Sequence, residues 1–176
     1  MSVLTEKEDL LAVFDYVREL DAVDNRQIFL FGGSQGGLVS TLVAQEREEK
    51  MRGLLLYYPA FCIPDDWREK YPREEEIPDS IEFWNMLLGR RYISDAKKLQ
   101  PYEALKKLDR NVLIIHGELD DVVPLSYAVR ARDTCKNAEL VVLKDEGHGF
   151  TGPGSVKAME IALRFMEGEL DRRKDA

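Results

Sequence analysis

The sequence predicts an α/β fold: a mostly parallel sheet of about four strands, flanked by helices and carrying a small cap insertion. Three observations predict it. Short apolar runs recur at Gln27 to Phe31, Arg52 to Tyr58, Asn111 to His116 and Glu139 to Leu143. Stretches with helical spacing separate them. The runs are apolar almost throughout, as in a parallel sheet covered on both faces.

Each element has a local reason. Thr5-Glu6-Lys7-Glu8 reads as a capping box, with Thr5 as the cap and Glu8 reaching back. Leu10, Val13, Phe14, Val17 and Leu20 then follow helical spacing, so Thr5 to about Leu20 reads as an amphipathic helix. Asp24-Asn25 breaks it before the first strand. A helix follows Ser34 and runs to about Lys50. Pro59 stops the second strand. Pro101 to Leu108 reads as a short helix. Pro124 to Thr134 reads as a helix with proline at a favourable early position. Ser155 to about Glu169 reads as the last helix, with Ala158, Ile161, Ala162, Phe165 and Met166 inward. The tail, Asp171 to Ala176, is expected to fray.

Residues 61–100 break the rhythm. They hold Pro64, Pro72 and Pro78, the acidic run Glu74-Glu75-Glu76, and the aromatics Trp67, Tyr71, Phe83, Trp84 and Tyr92. Ser80 to Leu88 has helical spacing. The segment reads as a cap over one end of the sheet, with residues 1–60 and 101–176 forming the core. Trp67, Phe83 and Trp84 are candidates to line a substrate pocket. For each singly, holding the cap together is the plainer role.

The chain has 176 residues, enough for one domain with a sizeable core. Its formal net charge of −8 argues against nucleic acid and anionic membrane surfaces as partners. No apolar run approaches a membrane span, and the N-terminus shows no signal pattern. Cys62 and Cys135 lie far apart without metal-ligand spacing. They read as unpaired thiols in a reducing compartment, the cytoplasm, and no metal site is suggested.

The chemistry centres on Gly32-Gly33-Ser34-Gln35-Gly36, which fits G-x-S-x-G between a strand and a helix. In that setting the pattern is a nucleophile elbow: the serine sits on a sharp turn with its hydroxyl projecting from the sheet. Gly32 and Gly36 are expected where a larger side chain would collide with neighbouring helix and strand. The Gln35 amide points into the same space and can hold a developing oxyanion. A plain strand-to-helix turn is the alternative. A phosphate loop is disfavoured, because neither Gly-Lys-Ser/Thr nor G-x-G-x-x-G is present.

A serine needs a base. The chain has two histidines. His148 lies among glycines in the loop after the fourth strand and has the reach and mobility of a base. His116 ends the third strand and reads as structural, holding the turn with its ring. Asp120 sits where an acid could orient His148, but Asp121, Glu118, Asp145 and Glu146 are local rivals.

The segments GGSQGG, HGELDDVVP and EGHGF together resemble the α/β-hydrolase superfamily, whose order of nucleophile, acid and base matches Ser34, Asp120, His148. The resemblance implies Asp120 as the acid and His148 as the base. Leu88-Gly89, Tyr92, Asp95-Ala96, Leu99 and Pro101-Tyr102 resemble the bacterial feruloyl/cinnamoyl-esterase-like branch. GGSxGG also resembles prolyl-oligopeptidase-type peptidases.

That resemblance implies about four strands ahead of the elbow, where this chain has room for one helix. It also implies a loop there that supplies a second oxyanion amide, so activity is expected to be impaired. Family strand order would leave Gln27 to Phe31 without a neighbour on one side. Two copies, or a completing chain, are expected to meet there. Three functions stay open. One is a serine esterase acting on a small-molecule ester without metal or organic cofactor. The second is a serine peptidase. The third is an inactive truncated hydrolase serving as an interaction module.

Overall fold

Four parallel strands form the central sheet of the computed structural model, in which residues 1–172 are described. In chain order the elements are α1 (Val3–Arg18), β1 (Phe29–Gly33), α2 (Gln35–Arg47) and β2 (Gly53–Tyr57). Then come α3 (Ile63–Lys70), β3 (Ser80–Phe83), β4 (Met86–Gly89), α4 (Arg90–Lys98) and α5 (Pro101–Lys106). The chain continues through β5 (Val112–Gly117), α6 (Leu125–Thr134), β6 (Ala138–Leu143) and α7 (Gly152–Asp171). The sheet order is β1-β2-β5-β6. β1 therefore lies at an edge, as the family strand order implied. Of the tail expected to fray, Asp171 to Ala176, residues 173–176 lie outside the described residues; α7 runs to Asp171.

Strand side chains alternate between faces, so a fully apolar strand feeds two cores. Leu54, Leu56, Val112 and Ile114 join Leu38, Val43 and Leu105 on the side covered by α1, α2, α5 and α6. Leu55, Leu113 and Ile115 pack with Ala158 and Ala162 of α7 on the other side. All carboxyl ends point the same way, which gathers the loops after β1, β2, β5 and β6 at one edge of the molecule.

Several local expectations are corrected. The α1 cap is Ser2, not Thr5: Ser2 N–H donates to Thr5 Oγ1 at 2.8 Å, and Thr5 N–H to Ser2 Oγ at 3.4 Å. The box is thus formed one turn earlier, where Val3 can be fully buried. Val13 is 55 % exposed, and Leu20 lies beyond the helix. Pro124 precedes α6 as its cap residue.

Ser80 to Leu88 is no helix but a hairpin of β3 and β4. Trp84 and Asn85 both have positive φ, 52° and 58°, the backbone of a two-residue hairpin turn. Ile81 pairs with Leu88, and both meet the core cluster. That pairing exploits a period of two, which the helical spacing of Ile81, Trp84 and Leu88 had masked. The segment also contains α3 and α4, which its proline-broken sequence does not mark.

Candidate active site

Ser34 stands at the carboxyl end of β1, where strand gives way to α2. Its φ of 51° and ψ of −125° lie where residues with a Cβ seldom sit. Two of the hydrogen bonds that hold that backbone tie it to β2 and the loop after it. Ser34 N–H donates to the Tyr57 carbonyl and Ala60 N–H donates to the Ser34 carbonyl, each at 2.9 Å. The hydroxyl does not cap α2; Oγ lies 3.0 Å from His148 Nε2.

The turn needs Gly32: a Cβ there would lie 2.2 Å from the Gly36 carbonyl oxygen. Gly36 differs from expectation, since a Cβ on it would meet nothing within 4 Å. Its backbone, not a missing side chain, is what Gly32 makes room for.

His148 follows β6, in a loop that approaches the end of β5 closely. A Cβ on Gly117 would lie 2.4 Å from the Glu146 carbonyl oxygen and 2.6 Å from that of Gly147. His148 Nδ1 lies 2.9 Å from Asp120 Oδ2. The other Asp120 oxygen accepts from Val122 N–H at 3.0 Å and Val123 N–H at 2.8 Å. Its side chain is fully buried. Among its rivals, Glu118 and Glu146 are engaged elsewhere: Glu146 accepts from Thr151 N–H at 3.0 Å, and Glu118 lies 3.5 Å from Asp145 N–H. Tyr58, itself at a φ of 35°, lays its ring 4.6 Å from that of His148.

His116 is fully buried and turned to the loop, its Nε2–H donating to the Val123 carbonyl at 2.9 Å. Nε2 therefore carries the proton, and Nδ1, which has no hydrogen-bond partner among the described residues, is bare. Burial holds its pKa below the usual histidine value. A neutral His116, although 3.4 Å from Asp120, leaves that carboxylate's charge to His148.

A cleft of about 680 Å³ opens beside Ser34. Gln35, Trp67, Phe83, Trp84 and Tyr92 line it, so all three aromatic candidates from the cap reach it. Trp67 is also buried in the core cluster, while Trp84 is 65 % exposed at the hairpin turn. Cys62, which the sequence marks only as an unpaired thiol, lines the cleft too, with Asp66 and Lys70, which belong to no motif. Burial, with Asp66 nearby, pushes the Cys62 thiol up to about 12, so it stays protonated near neutral pH. Both cysteines are free and buried. No helix among the described residues is long and apolar enough to cross a membrane.

A model of the prolyl oligopeptidase family matches residues 5–173. The chain belongs to the prolyl oligopeptidase family. It is one of the two groups its motifs resemble, and the solved structures bring in the other. Est1E from Butyrivibrio proteoclasticus superposes with a TM-score of 0.89 at 28% identity, covering 97% of this chain and 72% of that one. Its structure with ferulic acid bound gives 0.90 at the same identity, covering 97% and 70%. The fold of this prolyl oligopeptidase family member is thus the α/β-hydrolase fold, as its sequence implied.

Two curated proteins are also similar. Dipeptidyl-peptidase 5 of Porphyromonas gingivalis is 24% identical over 176 residues, 93% of this chain and 24% of its own. Caffeoylshikimate esterase of Arabidopsis thaliana is 42% identical over 59 residues, 33% of this chain and 18% of its own. The family member spans about a quarter or less of the length of either.

Proposed function

We propose that this protein is a serine hydrolase that cleaves carboxylic esters through an acyl-enzyme. The observation that carries the reading is the unbroken line from Asp120 through His148 to Ser34, with heavy-atom separations of 2.9 and 3.0 Å. Asp120 accepts from His148 Nδ1–H and so leaves Nε2 bare to accept the Ser34 proton. As Ser34 Oγ attacks the ester carbonyl carbon, that proton moves to Nε2. The carbonyl oxygen becomes an oxyanion beside the N–H of Gln35. That N–H opens α2 and has no carbonyl four residues back within the helix to bond. Collapse expels the alkoxide, which takes the proton from His148. Water then repeats the sequence on the acyl-enzyme, freeing the acid and Ser34.

The ester reading is supported by a cleft walled by Trp67, Phe83, Trp84 and Tyr92, and by the likeness to a protein solved with ferulic acid. Peptide hydrolysis is the second reading, favoured by the family match and the dipeptidyl-peptidase relative. A fluorophosphonate probe tests the common chemistry: it labels wild type and not Ser34→Ala. Parallel assays with p-nitrophenyl esters, hydroxycinnamoyl esters and aminoacyl amides then separate the two. Turnover of amides alone overturns the ester reading. A folded protein that neither labels nor turns over is the outcome expected of an inactive interaction module.

A further inference from the structure

The Gln35 side chain is held at both ends. Its Nε2 lies 2.9 and 2.8 Å from the two carboxylate oxygens of Glu6 on α1. Its Oε1 accepts from the Tyr92 hydroxyl of α4 at 2.5 Å. Only one amide orientation fits, because a flip would set its oxygen against the carboxylate. Tyr92 is 6 % exposed. Burial, reinforced by Glu6, raises it to about 12, so it remains a donor. Its ring meets Trp67 edge-on at 6.3 Å. On the other side, α1 is clamped to α2 by Arg47 and Asp15, paired at 2.9 and 2.6 Å. Thus a helix from the N-terminus, the elbow and the cap all converge on one glutamine.

We infer that Glu6 and Tyr92 are positioning residues. Through the Gln35 side chain they hold the Gln35 backbone N–H where the oxyanion forms. The inference rests on the hydrolase reading above. A free glutamine at a helix N-terminus samples several rotamers, and its backbone shifts with them. An oxyanion donor acts only if it is in place before the charge develops, and small displacements are costly. Gln35 also follows the strained Ser34, whose geometry persists only if neighbours over-determine it. Because Tyr92 and Trp67 line the acyl cleft, the same contacts link a seated acyl group to the oxyanion donor.

Tyr92→Phe, Glu6→Ala and Glu6→Gln test this against wild type and Ser34→Ala. Each is followed by p-nitrophenyl ester kinetics, melting temperature, and the phosphorus-31 resonance of phosphonylated Ser34. Tyr92→Phe removes one oxygen and keeps the buried ring; Glu6→Gln keeps an acceptor for Gln35. Tyr92→Phe and Glu6→Ala are expected to lower kcat about ten- to a hundredfold, with KM changed by no more than about twofold. Both should move the phosphorus resonance, and Glu6→Gln should recover most of the rate. Unchanged kcat, an unmoved resonance, or a loss matching only the unfolded fraction overturns the inference while Ser34 still labels. Wild type that neither labels nor turns over removes the hydrolase reading, and the inference with it.

Discussion

The Asp120 carboxylate divides its oxygens between two tasks: Oδ1 is held by the N–H groups of Val122 and Val123, while Oδ2 faces His148 Nδ1 at 2.9 Å. Asp120→Asn keeps a carbonyl oxygen for the loop and turns an NH₂ toward the ring. His148 then presents a bare Nδ1 and a protonated Nε2, which cannot accept from Ser34. Ester turnover is expected to fall about 10³- to 10⁴-fold, with little change in melting temperature. Steady-state kinetics and a thermal melt check it together.

Gly117→Ala should separate loop position from fold. The added Cβ would lie 2.4 Å from the Glu146 carbonyl oxygen. The His148 loop must move, or the end of β5 must. We expect about 1–3 kcal/mol lost in urea unfolding, from overpacking. Turnover should fall further than that loss explains, because His148 is carried away from Ser34. An unaltered kcat would show that the loop adapts without displacing the ring.

Acid should weaken the fold through His116. Its ordinary pKa is 6.5, and burial lowers it in the folded state. The unfolded chain therefore binds the proton more readily, and stability falls as pH drops from 6.5 toward the folded value. Above 6.5 both states are neutral there and this contribution is flat. Urea midpoints between pH 7.5 and 5.5, a range chosen around the usual histidine value, should fall with pH. The slope should be shallower in His116→Asn. Equal slopes would place the acid sensitivity elsewhere.

β1 is an edge strand, and its Phe31 is 57 % exposed while leaning edge-on against Tyr57 at 4.8 Å. Pairing of two copies along this edge, one of the two partners proposed for it beside a completing chain, predicts self-association at micromolar concentration. Phe31→Lys should shift sedimentation toward the monomer. A wild type that sediments as a dispersed monomer counts against the pairing.

The parallel strands were legible because each is a short, unbroken apolar run with a turn signal after it. The Ser34 turn, the His148 loop and the Asp120 segment were legible because glycine and proline punctuate them. The hairpin was not: Ile81, Trp84 and Leu88 fall at spacings that suit a helix, and only the left-handed Trp84-Asn85 pair makes a strand turn of it. The α1 cap was misplaced because two capping candidates lie three residues apart, and the burial of Val3 decides between them. Gly36 was credited with relieving a clash that belongs to Gly32.

The sequence by itself determined the fold class and offered Ser34 and His148 as candidates, with Asp120 singled out among its rivals only by a family resemblance. Both depend on local pattern: apolar period, turn residues, and motifs a few residues long. Tertiary structure alone decided that the oxygen facing His148 belongs to Asp120, that His116 turns to Val123 instead, and that Glu6 and Tyr92 meet on Gln35. These are contacts across 7 to 57 residues of chain. They are set by how helices pack on a sheet, and no window of sequence carries that geometry.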